Sequence, residues 1–277
     1  MRIAFIGDLH YPSMIGKNEK VKEARDAFYA KFLHTFFEIE ADYYVSIGDL
    51  TNFGREDELR EVYEIIREHD KPFIHTFGNH DLYGVSRDEV LNISNTEQNI
   101  SIATDDVNII SLETARDHDH EDYSGYVSDR QLQWLEAEIA ESEEKLMIIF
   151  AHHPVYDTTA NSNFPYLSIE PEAPILDVLR KKKGNGIYIN GHNHKDSIET
   201  IDNWTFVQAN AVLDDQSIRV LEINDNEISI QSHNVASTEL RSMAQIIGSN
   251  INHFQLNPLG MGTTPNREKL IKRNLYV

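Results

Sequence analysis

The chain has 277 residues, 40% of them apolar and 26% charged, enough to bury a sizeable core in one or two domains at about 150 residues each. It has no cysteine, which excludes a disulfide scaffold, a thiolate metal site, an iron–sulfur cluster and a cysteine nucleophile. Its 46 acidic and 25 basic side chains give a net charge of −21, a field that repels nucleic-acid backbones and anionic membranes and admits a phosphate ester only where bound cations reverse the potential locally.

Residues 3–6 are a short apolar run that stops at Gly7 and Asp8, the pattern of a buried strand emptying into a loop. It is too short for the roughly 7–15 apolar residues at the centre of a signal peptide, and no run reaches the roughly 18 of a membrane span; a cytoplasmic protein is expected. Residues 19–38 place apolar side chains three or four apart and predict a helix. A second strand at 43–47 ends at Gly48-Asp49, a second helix covers 56–70, and a third strand at 73–77 ends at Gly78-Asn79-His80-Asp81. Three β–α repeats in the first 80 residues predict a parallel α/β sheet.

Further strands are expected at 100–102 and 107–112, and Ser128 caps a helix that runs to 144. A strand at 146–150 leads into His152-His153-Pro154, a short helix covers 173–183, and a strand at 186–189 leads into Gly191-His192-Asn193-His194. Residues 198–231 read as short antiparallel strands at 204–207, 217–222 and 227–231, with Asn224-Asp225-Asn226 as a hairpin turn. After about residue 234 glycine, proline and asparagine increase, with one helical candidate at 238–247. Residues 1–234 are therefore expected to form the domain, and 235–277 an extension that packs on the body or makes contacts in a homo-oligomer.

Five strand ends carry metal-type donors: Asp8 and His10; Asp49; Asn79 and His80; His152; His192 and His194. A spacing of two in extended chain puts Asp8 with His10, and His192 with His194, on one side. In open α/β sheets ligands bind beyond the carboxyl ends of the strands. Hard oxygen donors mixed with imidazoles suit Mn, Fe, Zn, Ni or Co.

In this order the blocks Gly7-Asp8-Leu9-His10, Gly48-Asp49, Gly78-Asn79-His80-Asp81, His152-His153-Pro154 and Gly191-His192-Asn193-His194 resemble the calcineurin-like metallophosphoesterase superfamily. The segment Gly48-Asp49-Leu50-Thr51-Asn52-Phe53-Gly54 is similar to the branch holding the class III cyclic-nucleotide phosphodiesterases. So is Gly125-Tyr126-Val127-Ser128 with Gln131-Leu132-Gln133-Trp134-Leu135, a stretch that branch shares with purple acid phosphatases. Asn52 stands where the purple enzymes carry a tyrosine ligand, so no tyrosine–iron charge-transfer site is expected.

The resemblance implies an α/β fold, a four-layer αββα sandwich with two central mixed β-sheets. It implies a centre of two divalent or mixed-valence transition-metal ions, with Mn and Fe favoured. Asp8, His10, Asp49 and His194 would serve one ion, and Asp49, Asn79, His152 and His192 the other, with Asp49 bridging. The activity implied is hydrolysis of a phosphate ester, foremost a small phosphodiester, by a metal-activated hydroxide. His80 would act as general acid with Asp81 orienting its imidazole, and Asn79, His80 and His153 would touch the substrate. A phosphomonoesterase or Ser/Thr protein phosphatase is the alternative enzyme reading, although no arginine directly follows the 78–81 block and Arg87 is the next. A catalytically inert metal-binding scaffold is the non-enzymatic alternative. The expected partner is a small phosphate ester, without long nucleic acid or membrane.

Substrate choice is expected in the loops at 83–99, 113–125 and 155–172. Asp117-His118-Asp119-His120-Glu121-Asp122 reads as a solvated acidic loop near the mouth, Phe164 or Tyr166 as a stacking ring or local packing, and Arg180-Lys181-Lys182-Lys183 as favourable charge at a helix C-terminus.

Overall fold

The computed structural model describes residues 1–273; the last four residues of the expected extension lie outside the described residues. The N-terminal repeats form as the sequence predicts. Strands β1 (Arg2–Ile6), β2 (Tyr43–Ser46) and β3 (Phe73–His75) alternate with helices α1 (Glu19–Glu38) and α2 (Glu56–Arg67) and lie parallel, side by side. The strands are apolar on both faces because both faces are covered. Ile3 and Phe5 point to the centre of the molecule, while Ala4 and Ile6 join Phe28, Phe32 and Phe36 of α1 and Leu59 of α2. Each of those fully buried phenylalanines contributes about 1.5–3 kcal/mol by leaving water.

The chain continues through α3 (Arg87–Ser94), β4 (Ile100–Ala103), β5 (Val107–Ser111), α4 (Asp129–Glu141), β6 (Leu146–Phe150), α5 (Ile175–Leu179), β7 (Gly186–Asn190), β8 (Ser197–Ile201) and β9 (Trp204–Gln208). It ends with β10 (Ser217–Ile223), β11 (Glu227–Asn234), α6 (Thr238–Gly248), α7 (Thr264–Arg267) and β12 (Lys269–Lys272). Two mixed six-stranded sheets result, ordered β12-β11-β10-β1-β2-β3 and β4-β5-β6-β7-β9-β8. Their facing sides share one core, in which Ile3, Phe5 and Val45 meet Ile148, Phe150 and Ile189. The outer face of the second sheet buries Met147, Ile149 and Tyr188 against Leu132, Leu135 and Ile139 of α4. With α1, α2 and α6 on the other side, this is a four-layer αββα sandwich. Among the described residues no helix is long and apolar enough to cross a membrane.

Several elements differ from the sequence reading. The 198–231 strands do not form one antiparallel tail. β9 pairs parallel with β7 in the second sheet, while β10 crosses to the first sheet and pairs antiparallel with β1. β10 and β11 form the expected hairpin, with Asn224 Oδ1 accepting from the N–H groups of Asn226 and Glu227, and β8 and β9 form a second antiparallel pair. Helix α5 is five residues long rather than spanning 173–183, because Pro174 stands at its start and after the Arg180 N–H to Leu176 O bond the chain tightens into i→i−3 turns at Lys181 and Lys182. The basic run after it holds neighbours together: Lys181 pairs with Glu136, and Lys182 donates to the carbonyl of Glu143. Helix α3, expected as loop, is nucleated by a capping box between Ser86 and Glu89.

Residues beyond 234 pack onto the body. α6 lies on α1, and β12 adds an edge strand to β11. A buried ionic network ties the end of α7 to the second-sheet loops: Asp196 pairs with Arg219 and Arg267, and Arg267 also pairs with Asp215 at 2.5 Å.

Candidate metal centre

The C-terminal ends of β1, β2 and β3 in one sheet and of β6 and β7 in the other open on a common rim. Asp8, His10, Asp49 and Asn79 reach it from the first sheet, and His152, His192 and His194 from the second. All seven side chains converge. Their spacing works differently from the expected extended chain. His10 (φ 51°), Asp49 (φ 48°), His192 (φ 70°) and His194 (φ 45°) all have left-handed backbone, at a cost of about 1–2 kcal/mol each. The glycines before the donors are required by close approach. A Cβ on Gly78 would stand 2.1 Å from Asp49 Oδ1, and one on Gly191 would stand 2.0 Å from Asp8 Oδ1.

Hydrogen bonds on the outer side of the cluster assign its protons. His152 Nδ1 donates to the Ile47 carbonyl (3.1 Å), and His192 Nε2 donates to the Tyr166 carbonyl (3.0 Å). Asn79 Nδ2 donates to the Tyr83 hydroxyl (2.6 Å). The lone pairs of His152 Nε2, His192 Nδ1 and Asn79 Oδ1 therefore face one another at 3.0–3.3 Å, with Asp49 Oδ2 3.3 Å from His152 Nε2. Beside them His194 Nε2 lies 3.0 Å from both Asp8 Oδ2 and His10 Nε2. Asp49 Oδ2 is also 3.8 Å from His10 Nε2, so this carboxylate lies between the two groups. Acceptors crowded this closely require positive charge between them, from a proton or from a metal ion. The residues thus fit a pair of cations, and the donor set of carboxylates, imidazoles and one amide suits first-row divalent ions.

The same demand appears in the titration of these groups. Burial opposes the charged form throughout, yet the imidazoles of His152 and His80 hold the Asp49 carboxyl well below the usual range. Burial would lower His152, but the Asp49 carboxylate overrides it and pushes the imidazole up to about 9. His10, buried and ringed by other imidazoles, is held well below its ordinary value.

His80 lines the pocket above the cluster. Its Nδ1 donates to the Asn52 carbonyl at 2.7 Å, which leaves Nε2, 4.0 Å from Asp49 Oδ2, as the ring nitrogen no carbonyl engages. Asp81 does not orient this ring. Its carboxylate is fully buried and accepts from Thr51 N and Oγ1 (2.8 Å each), Gly78 N (2.9 Å) and His75 Nε2 (3.0 Å). Asp81 fixes the β2 and β3 exit loops instead. His153 does not line the pocket either. It is wholly buried, with Nε2 donating to the Tyr123 carbonyl and Nδ1 bonded to Thr114 Oγ1 at 2.8 Å. It lies near enough to His152 and His192 to pass for a third ligand, but both its ring nitrogens are committed.

The pocket, about 270 Å³, is walled by Tyr83, His120, Tyr123, Leu167 and His253. The 117–122 loop is only partly the solvated loop of the sequence reading, because His120 stacks on Tyr83 (4.6 Å between centroids) and faces Phe53. Phe164 is exposed and outside the wall, while the Tyr166 ring packs on Tyr123. Two further features carried no signal in the sequence. Tyr83 sets the Asn79 amide, and residues 253–257 of the extension reach the site: the Phe254 ring lies 4.8 Å from His10 and 5.3 Å from His194.

A family model described as calcineurin-like phosphoesterase matches residues 1–196. A curated protein of Rhodococcus erythropolis, described as a probable cyclic nucleotide phosphodiesterase, is 28% identical over 165 residues. That match covers 57% of this chain and 53% of the relative, so the chain spans about half the length of the relative it matches. Among solved structures, a dimetal phosphatase from Danio rerio superposes with a TM-score of 0.70 at 16% identity, covering 86% of this chain and 97% of that one. The Plasmodium protein GAP50, described as the anchor in the inner membrane complex, superposes with a TM-score of 0.54 at 14% identity, covering 93% and 96%. At these identities the likeness establishes the fold.

Proposed function

Because the chain belongs to the calcineurin-like phosphoesterase family, we propose that it hydrolyses a small phosphate ester, foremost a phosphodiester, at a centre of two metal ions. The observation that carries this reading is the cluster of facing lone pairs on Asn79, His152 and His192 beside Asp8, His10, Asp49 and His194. Asp8, His10, Asp49 and His194 would hold one ion, and Asp49, Asn79, His152 and His192 the other. Bound there, two divalent cations would activate water for attack on phosphorus and neutralise the phosphoryl oxygens. Only two carboxylates serve seven donors, so two dications leave net positive charge for an anionic substrate within an acidic protein. His80 presents Nε2 to the pocket and delivers a proton to the leaving oxygen, while the Asn52 carbonyl keeps Nδ1 protonated throughout. The aromatic wall of Tyr83, Tyr123 and His120 excludes water beside the reacting phosphate and favours a flat organic group there.

The diester preference draws support from the relative described as a cyclic nucleotide phosphodiesterase. The test is hydrolysis of bis(p-nitrophenyl) phosphate and of p-nitrophenyl phosphate by Mn²⁺-reconstituted protein, with Asp49→Ala as the blank. Diester turnover lost in the variant is the expected result. Monoester turnover alone would favour a phosphomonoesterase. No turnover above the blank with either ester, in protein that has taken up metal, would favour a scaffold role.

A further inference from the structure

Asp214 stands behind the metal cluster in the loop between β9 and β10. Its side chain is fully buried, and its Oδ2 has no hydrogen-bond partner among the described residues. That oxygen lies 3.8 Å from His194 Nδ1, on the opposite edge of the ring from Nε2, which faces Asp8 and His10. The other carboxylate oxygen is fixed: Asn257 N–H donates to Asp214 Oδ1 at 2.7 Å. The same Asn257 donates from Nδ2 to the His194 carbonyl at 2.9 Å, and the Phe254 ring packs on the imidazole. One short segment of the extension thus holds both the carboxylate and the histidine.

An imidazole can give a lone pair to a metal at Nε2 only when its proton sits on Nδ1. His152 and His192 have carbonyl acceptors that fix their tautomers, and among the described residues His194 has none. The polar atom facing its Nδ1 is the orphaned oxygen of Asp214. We propose that Asp214, held by Asn257, is the positioning residue that keeps the proton of His194 on Nδ1 and so readies Nε2 for metal. Residues 253–257 of the extension thereby belong to the metal site. The inference rests on reading the cluster as a metal centre, and it adds a function for the C-terminal segment.

The test uses the full chain, Zn²⁺ alone as probe, and isothermal titration of wild type, Asp214→Asn and Asp214→Ser, with circular dichroism to establish that each is folded. Wild type should take up two Zn²⁺ per chain. Each folded variant should lose about 10–100-fold in affinity at one of the two sites, the usual scale for removing a carboxylate that orients a ligating histidine. Asp214→Asn keeps the shape of the side chain and serves if Asp214→Ser does not fold. The ¹⁵N resonances of His194 in Zn²⁺-loaded wild type give a second reading that needs no variant, with a protonated Nδ1 expected. Two wild-type sites with unchanged affinity in a folded variant, or an unprotonated Nδ1, overturn this inference alone. Wild type that takes up no Zn²⁺ overturns the metal-centre reading and this inference with it.

Discussion

The amide of Asn79 and the phenol of Tyr83 are joined by a 2.6 Å hydrogen bond in which the nitrogen donates. This bond decides which end of the amide faces the cluster, and it turns Oδ1 toward His152 and His192. With phenylalanine at 83 nothing holds the NH₂ group outward, and an amide turned the other way presents donors where acceptors are needed. Tyr83→Phe should fold normally and lose about tenfold or more in metal affinity. Competition against a chromogenic chelator measures this, and wild-type affinity in the variant would show that Asn79 needs no such support.

His80 is set apart from the ligands by its contacts: Nδ1 binds a carbonyl and Nε2 looks into the pocket. His80→Ala should lower kcat by about 10²–10⁴, while metal content, measured by elemental analysis, stays at the wild-type level. Parallel loss of metal and turnover would remove the acid role.

Glu58 closes the N-terminus of α2 and accepts from the N–H groups of Ser13, Phe53 and Arg55. Burial nevertheless dominates those bonds and pushes its carboxyl from 4.5 up to about 7. Between those values the folded chain keeps a proton that the unfolded chain has lost, so stability falls as pH rises from about 4.5 to about 7 and levels off above. The difference in unfolding free energy between wild type and Glu58→Gln, from urea titrations, should therefore shrink by roughly 3 kcal/mol across that window. A difference independent of pH would contradict the shift.

Arg267 has little exposure and pairs with both Asp196 and Asp215. Replacing it with methionine keeps most of its bulk and leaves Asp215 without its cation. Removing one partner of a buried pair typically costs about 3–5 kcal/mol, and with Arg219 still beside Asp196 the lower end is expected for Arg267→Met in urea unfolding. A loss below about 1 kcal/mol would mean that the extension is held by β12 and α6 instead.

The sandwich and the seven convergent donors were legible because their signals are local. An apolar run closed by Gly-Asp or Gly-Asn marks three of the strand ends, runs closed by Ala151-His152 and Gly191-His192 mark two more, and five donor-bearing ends in one chain leave few ways to fold. Helix α3 was also within reach, since Ser86 and Glu89 spell a capping box, but the loop-like residues around it hid that signal. What stayed hidden depends on distant partners. Asp81 sits beside His80 in sequence, but the 3₁₀ turn at His80–Leu82 sends the two side chains apart, one to Asn52 and the other to Thr51 and His75. His153 reads like its neighbour His152, and only the packing of Thr114 and Tyr123 around it withdraws it from the pocket. Phe254 and Asn257 lie about 60 residues from His194, and no spacing rule connects them.

The seven donors are divided between two sheets that share no backbone pairing: four hang from the β1-β2-β3 edge and three from β6 and β7. Whatever positive charge binds between them therefore acts as a rivet through the seam of the sandwich. A slide of one layer against the other by half an ångström, harmless to a greasy interface of isoleucines and phenylalanines, would pull Asp49 from His152 and Asp8 from His194 together. Activity in this molecule should accordingly be sensitive to substitutions in the central inter-sheet core, such as Phe5 or Phe150, whose rings meet between the two sheets and line no part of the pocket.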